Sequence, residues 1–125
     1  MISLADHLER IPLATRRIVV AAIATVKEVA PRADEIPYQS RQPSSSRAMW
    51  KLVRYGVGGV DVAGIGTFPN HATLFLYRGR ELDDENGLLQ GSGKDARFIT
   101  LRTPADAEAP AVKRLLRQAF KLGGA

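Results

Sequence analysis

Met49-Trp50-Lys51-Leu52-Val53-Arg54-Tyr55, Val60-Asp61-Val62-Ala63-Gly64-Ile65-Gly66-Thr67-Phe68 and Ala72-Thr73-Leu74-Phe75-Leu76-Tyr77 are three apolar runs. They are rich in β-branched and aromatic residues, so each is a strand candidate. Gly58-Gly59 marks a hairpin turn between the first two. Pro69-Asn70 turns the chain between the second and third. No segment between them is long enough for the helix that a parallel crossover needs. The three runs therefore argue for an antiparallel sheet.

The same reading extends both ways along the chain. Ala96 to Leu101 is a further strand, reached through a polar stretch from Arg78 to Asp95. Upstream, Glu35-Ile36-Pro37-Tyr38 is a short edge strand, because Pro37 has no N–H to give a central ladder. Gln42 to Arg47, with Pro43 and Ser44 to Ser46, is an exposed loop.

Both ends of the chain are helical. Ser3 caps a short helix from Leu4 to Arg10, and Pro12 suits the first turn of a second. In Leu13 to Ala30, Val19, Ile23, Val26 and Ala30 make one buried stripe, and Pro31 ends the helix. Pro104 to Pro110 is a linker. Ala111 to Leu122 is amphipathic, with Val112, Leu115, Leu116 and Ala119 inward and Gly123-Gly124 as the stop. Two apolar helix faces need one sheet face to cover them. The expected fold is α+β: a two-layer sandwich, with an antiparallel sheet of about five strands flanked by N- and C-terminal helices.

Composition sets limits. The 125 residues make one domain, spanning 1–125, with 45% hydrophobic and 25% charged residues and no cysteine. That excludes a disulfide framework, a thiolate metal site and a cysteine nucleophile. The most apolar window, Ile18 to Val26, is nine residues, against roughly twenty for a membrane span. Asp6, Glu9, Lys27 and Glu28 around it do not suit a signal peptide. A cytoplasmic protein with no membrane partner is expected.

The net charge is +5, but it is unevenly spread. Residues 61–95 carry 3 basic and 6 acidic side chains, and residues 96–125 carry 6 basic and 2 acidic. Lys113, Arg114, Arg117 and Lys121 line the last helix, where the dipole alone favours cations. Aromatic residues are only 6%, so no stacking platform for nucleic acid stands out. Nucleic acid is an alternative partner that the sequence argues against.

The candidate chemistry is sparse. Leu88-Leu89-Gln90-Gly91-Ser92-Gly93-Lys94 is a Gly-rich turn ending in lysine, of the kind that cradles anions. It is not a P-loop: Gly87 lies one residue too far back, Asp95 stands where Ser or Thr is needed, and a strand follows. Lys94 and Arg97 remain candidates for a small anion. His7 and His71 are far apart and lack the spacing of a zinc site. Glu81, Asp83, Asp84 and Glu85 lack the alternation of an EF-hand loop. Asp34 and Glu35 are neighbours on a strand and point apart. No Gly-x-Ser-x-Gly elbow occurs. No catalytic residue, metal ligand set or cofactor is assigned.

Several motifs occur together. Ala30-Pro31-x-Ala33-x-Glu35 follows the first long helix, Phe68-x-Asn70-His71 precedes an apolar strand, and Gly79-x-x-Leu82 follows it. Leu88-Leu89-x-Gly91-Ser92-Gly93-Lys94-x-x-Arg97-x-Ile99-x-Leu101 completes the set. In order and spacing, from about Leu8 to Phe120, these resemble the YdhG-like family, a bacterial family of unknown function. The resemblance implies a small cytoplasmic α+β domain and no catalytic residue. It also implies a distant likeness to frataxins, which bind iron along an acidic ridge on the first helix and first strand. The matching region here offers Asp6, Glu9, Glu28, Asp34 and Glu35 among Arg10, Arg16, Arg17, Lys27 and Arg32, a poor ridge.

The expected function is a non-enzymatic binding domain for a small anionic ligand or a protein partner, on the sheet face left free by the helices. Its candidate ligand-binding residues are Glu35, Tyr38, Asn70, His71, Gly91, Gly93, Lys94 and Arg97. The alternatives are frataxin-like iron binding, nucleic-acid binding through the last helix, and an enzyme pairing His71 with Glu35. Val60, Val62 and Phe68 fall on one side of their strand and Asp61, Ala63, Ile65 and Thr67 on the other. Neither set is strongly polar, which points to a homodimer.

Overall fold

The computed structural model describes residues Met1–Gly124. Helix α1 (Leu4–Glu9) opens the chain and α2 (Leu13–Val29) follows. Next come β1 (Asp34–Pro37), β2 (Trp50–Val57), β3 (Val60–Phe68) and β4 (His71–Leu76). A 3₁₀ turn at Gly79–Glu81, β5 (Arg97–Leu101), α3 (Pro104–Ala107) and α4 (Pro110–Leu122) complete it. The five strands lie in the sheet in chain order, every pair antiparallel. The expected α+β sandwich is the observed one.

Local chemistry accounts for the boundaries. At α1, Ser3 Oγ accepts the Asp6 N–H and the Asp6 carboxylate accepts the Ser3 N–H at 2.9 Å, a reciprocal cap that satisfies two otherwise free donors. The hairpin between β2 and β3 turns at Gly58 and Gly59, with φ of 58° and 82°. Two consecutive positive φ values make the turn that matches strand twist, and glycine adopts them without Cβ strain.

The core lies between the sheet and the helices. Val53, Ile65, Leu74 and Ile99 are cross-strand partners through the middle of the sheet and are all buried. They meet Ile18, Val19, Ala22 and Val26 of α2 and Val112, Leu115, Leu116 and Phe120 of α4 in one cluster.

Three expectations are corrected. The buried stripe of α2 runs through Thr15, Ile18, Val19, Ala22, Thr25 and Val26, with Ile23 and Ala30 only half-buried. Thr15 is admitted to the interior because its hydroxyl donates to the Pro69 carbonyl at 2.8 Å. The expected linker from Pro104 contains α3, capped reciprocally by Thr103 and Asp106. In β3, Ala63 pairs with Tyr55 while Asp61 pairs with Gly56, so Val62 is the extra residue of a bulge. The bulge moves Asp61 to the face opposite Ala63, where it pairs with Arg54 at 3.3 Å.

Candidate functional site

On the free face of β3, the positions between the buried Ala63, Ile65 and Thr67 are Gly64 and Gly66. Side chains from neighbouring strands lie down over them. The Phe75 ring covers Gly64, and Met49 covers Gly66. Phe75 and Phe98 are direct cross-strand partners, and Phe75 meets Tyr77 edge-on at 5.7 Å. From the opposite edge, Tyr38 reaches across, and its hydroxyl meets that of Tyr77 at 2.5 Å. Phe68 stacks on His71 at 4.6 Å on the same face.

Five of the eight aromatic residues, Tyr38, Phe68, Phe75, Tyr77 and Phe98, therefore share this surface. The low aromatic content concealed this platform, because a percentage takes no account of alternation. The residues missed in the sequence (Lys51, Arg54, Phe75, Tyr77 and Phe98) each had a signal: all alternate with positions that read as core.

Two cations stand over the rings. The Lys51 ammonium is 5.7 Å from the Tyr38 centroid and 5.9 Å from that of Phe75. The Arg54 guanidinium is 5.1 Å from Tyr38. Contacts of this kind are attractive through the ring quadrupole. Burial and the Tyr38 hydrogen bond push the Tyr77 phenol well above the usual tyrosine range, so it stays protonated. The face thus offers ring surfaces, phenol hydroxyls and positive charge, with Asp61 its paired acid.

The eight sequence-derived candidates do not form one pocket. Only Tyr38 and His71, which stacks on Phe68, belong to the aromatic face. Glu35, on β1, accepts from the Tyr55 hydroxyl at 2.7 Å and pairs with Lys27 of α2 at 3.7 Å, so it ties the edge strand down. Burial and that carboxylate raise the Tyr55 phenol. Asn70 and His71 lie together at the β3–β4 turn, where His71 Nδ1 bonds Asn70 Oδ1 at 2.9 Å. Gly91, Gly93, Lys94 and Arg97 lie at the β5 edge. Arg97 donates to the Gly93 and Ala96 carbonyls at 2.6 and 2.8 Å and holds the loop closed, while Lys94 is exposed. Gly91 has φ of 107° and lies beside the Phe98 ring. β1 and β5 are the two outer strands, about 19 Å apart at ordinary strand spacing. Glu35 and His71 are three strands apart, about 14 Å by the same spacing, too far for the acid–base pair.

Burial first, and then the Arg102 charge, hold His71 below the ordinary histidine value of 6.5. A group that binds its proton less readily when folded makes the fold more stable as pH rises. This contribution is complete above the unfolded value of 6.5 and is lost as pH falls from there through the lower folded value. The His71 ring protons should titrate in NMR with a midpoint below 6.5, and Arg102→Ala should move it part of the way back.

Most of the acids are engaged structurally. Asp6 caps α1, Glu28 pairs with Lys113 at 3.0 Å, and Glu35 holds Tyr55. Glu81 forms a two-pronged bridge with Arg78 at 2.6 and 2.7 Å, and Asp84 accepts the Leu88 and Leu89 N–H groups at 2.8 and 2.9 Å. Among the described residues no three His, Asp or Glu side chains gather as a metal site. On α4, Lys113 is paired with Glu28, and Arg114 reaches Glu85 and Asn86, so the basic stripe is partly neutralised. No described helix is long and apolar enough to cross a membrane.

Comparison with known proteins gives no relative: no family profile, curated protein or solved structure matches the chain.

Proposed function

We propose that this chain is a non-enzymatic binding domain that takes a small anionic ligand carrying a planar ring on the free face of its sheet. The observation that carries this reading is the placement of Lys51 and Arg54 over Tyr38 and Phe75. A ligand with a flat π-surface stacks on the rings, while its negative charge meets the two cations. The glycines at 64 and 66 suit such a ligand, because they let Phe75 and Met49 lie flat. In the other readings, iron along an acidic ridge and nucleic acid along α4, the side chains Asp6, Glu28 and Glu35 of the ridge and Lys113 and Arg114 of the helix already have partners.

The test is a ¹⁵N NMR titration with adenosine monophosphate, which joins ring and charge. Saturable shifts are expected at Lys51, Arg54, Phe75 and Phe98. Lys51→Ala with Arg54→Ala should weaken binding up to about tenfold, the loss of two solvent-exposed charge pairs with the phosphate of about 0.2–1 kcal/mol each. Inorganic phosphate and adenine, given separately, should each bind more weakly. Shifts that map elsewhere, or an affinity indifferent to the double variant, would overturn the reading.

A further inference from the structure

The other end of the molecule carries a second, unrelated feature. The C-termini of α2 and α4 come together beside the start of β1 and enclose an open groove of about 630 Å³. Its floor is apolar, built from Val29 at the end of α2, Val57 at the end of β2 and the buried Phe120 of α4. Its rim carries Arg32, Arg117 and Lys121, all exposed. Among the described residues none of the three is in an ion pair, whereas Lys27, Arg54, Arg78, Arg80, Lys113 and Arg114 all are.

Helix C-termini favour nearby cations, and that accounts for part of the rim. Each terminus is worth about half a negative charge. Two such ends offset roughly one of the three positive charges and leave an excess of about two. They do nothing to cover the apolar floor. The volume lies within the range of small-molecule sites, about 300–1,000 Å³. What complements both features is a molecule with an aliphatic body and a carboxylate head.

We infer that this groove is a binding site for an aliphatic carboxylate, a fatty-acid-like anion whose chain lies along Val29, Val57 and Phe120. Its head group is held by Arg117 and Lys121, with Arg32 closing the rim. Arg117 and Lys121 are four residues apart on α4 and so share one side of it. The site is separate from the aromatic sheet face and does not depend on it.

The test uses sodium decanoate, which has no ring to stack on the sheet, at concentrations below micelle formation. In a ¹⁵N NMR titration, saturable shifts are expected at Arg32, Val57, Arg117 and Lys121, with the amides of Phe75 and Phe98 unmoved. Arg117→Ala with Lys121→Ala should weaken binding at least tenfold; both residues are exposed and alanine favours helix, so the fold is kept. Decyltrimethylammonium, with the same chain and the opposite charge, should not bind. The inference is overturned if the double variant binds decanoate within twofold of the parent, if the cationic detergent binds equally well, or if shifts map outside the groove. Adenosine monophosphate binding at the sheet should be the same in this variant, so the two sites fail or stand separately.

Discussion

Replacing Ile65 with alanine is expected to lower stability by about 4 kcal/mol, near the top of the range of about 2–5 for such a truncation. Ile65 is fully buried at 0% exposure, between Val53 on β2 and Leu74 on β4. The cost of a core truncation depends on how well the site collapses afterwards. Here collapse is poor. The next side chains along the same face of β3 are Ala63, which is small, and Thr67, whose hydroxyl is committed to the carbonyls of Phe68 at 2.9 Å and His71 at 3.2 Å. Neither reaches into the hole. For a chain of this length the loss corresponds to a fall in melting temperature of roughly 15 °C. Urea unfolding and calorimetry measure it. Val20→Ala, at 47% exposure on α2, serves as the control and should change stability by no more than about 0.5 kcal/mol. A loss at Ile65 as small as that would mean that the two layers are not packed as described.

His7→Ala has the second largest expected effect, about 2–4 kcal/mol, from a residue whose sequence context gives no hint of it. The ring is 1% exposed, edge-on to Trp50 at 5.0 Å. Its Nε2 lies 2.6 Å from the Tyr38 carbonyl. A carbonyl only accepts, so Nε2 carries the proton. Removing the ring leaves that carbonyl without its partner, at about 1–3 kcal/mol, and removes an aromatic pair worth about 0.5–1.5. His7→Phe fills the space without the donor and should recover part of the loss. Trp50 is the chain's one tryptophan, so its fluorescence should report the opening in His7→Ala. Tyr38 also contributes to the aromatic face, so His7→Ala should weaken adenosine monophosphate binding. Unchanged stability and unchanged emission would contradict the packing.

The elements were readable because each carries its own local chemistry. Ser3, Pro12 and Pro31 bracket helices, Gly58-Gly59 makes a hairpin, and β3 begins and ends where its apolar run does. Helix α3 has a local signal too, the capping spacing of Thr103 and Asp106, but Pro104 and Pro110 on either side give the segment the composition of a linker. The facing of Asp61 was not readable. A bulge is a tertiary choice of two strands, and one extra residue reverses every side assigned by simple alternation. The candidate site was the least legible part. Glycine-rich turns and a histidine attract attention in a sequence, yet here they close loops: Arg97 holds Gly93 and Ala96, and His71 stacks on Phe68. The residues that meet on the free face come from β2, β4, β5, the end of β1 and the end of β3, and only strand order brings them together.

The glycines under Phe75 and Met49 have a consequence for how reliably the chain finds its pairing. A strand with one wet face is held in alignment by hydrophobicity, because a slip of one residue exposes its apolar set. β3 lacks that safeguard: from Val62 to Thr67 it is buried on both faces. Size alternation takes over the task. In the native alignment Gly64 lies beneath the Phe75 ring and Ile65 fills the core. A slip of one residue would drive Ala63 or Ile65 into the ring and put a glycine in the place of Ile65, leaving a void the size of the isoleucine side chain between the layers. The free face therefore acts as a proofreader of strand alignment, rejecting by shape the misfolded pairings that polarity would let through.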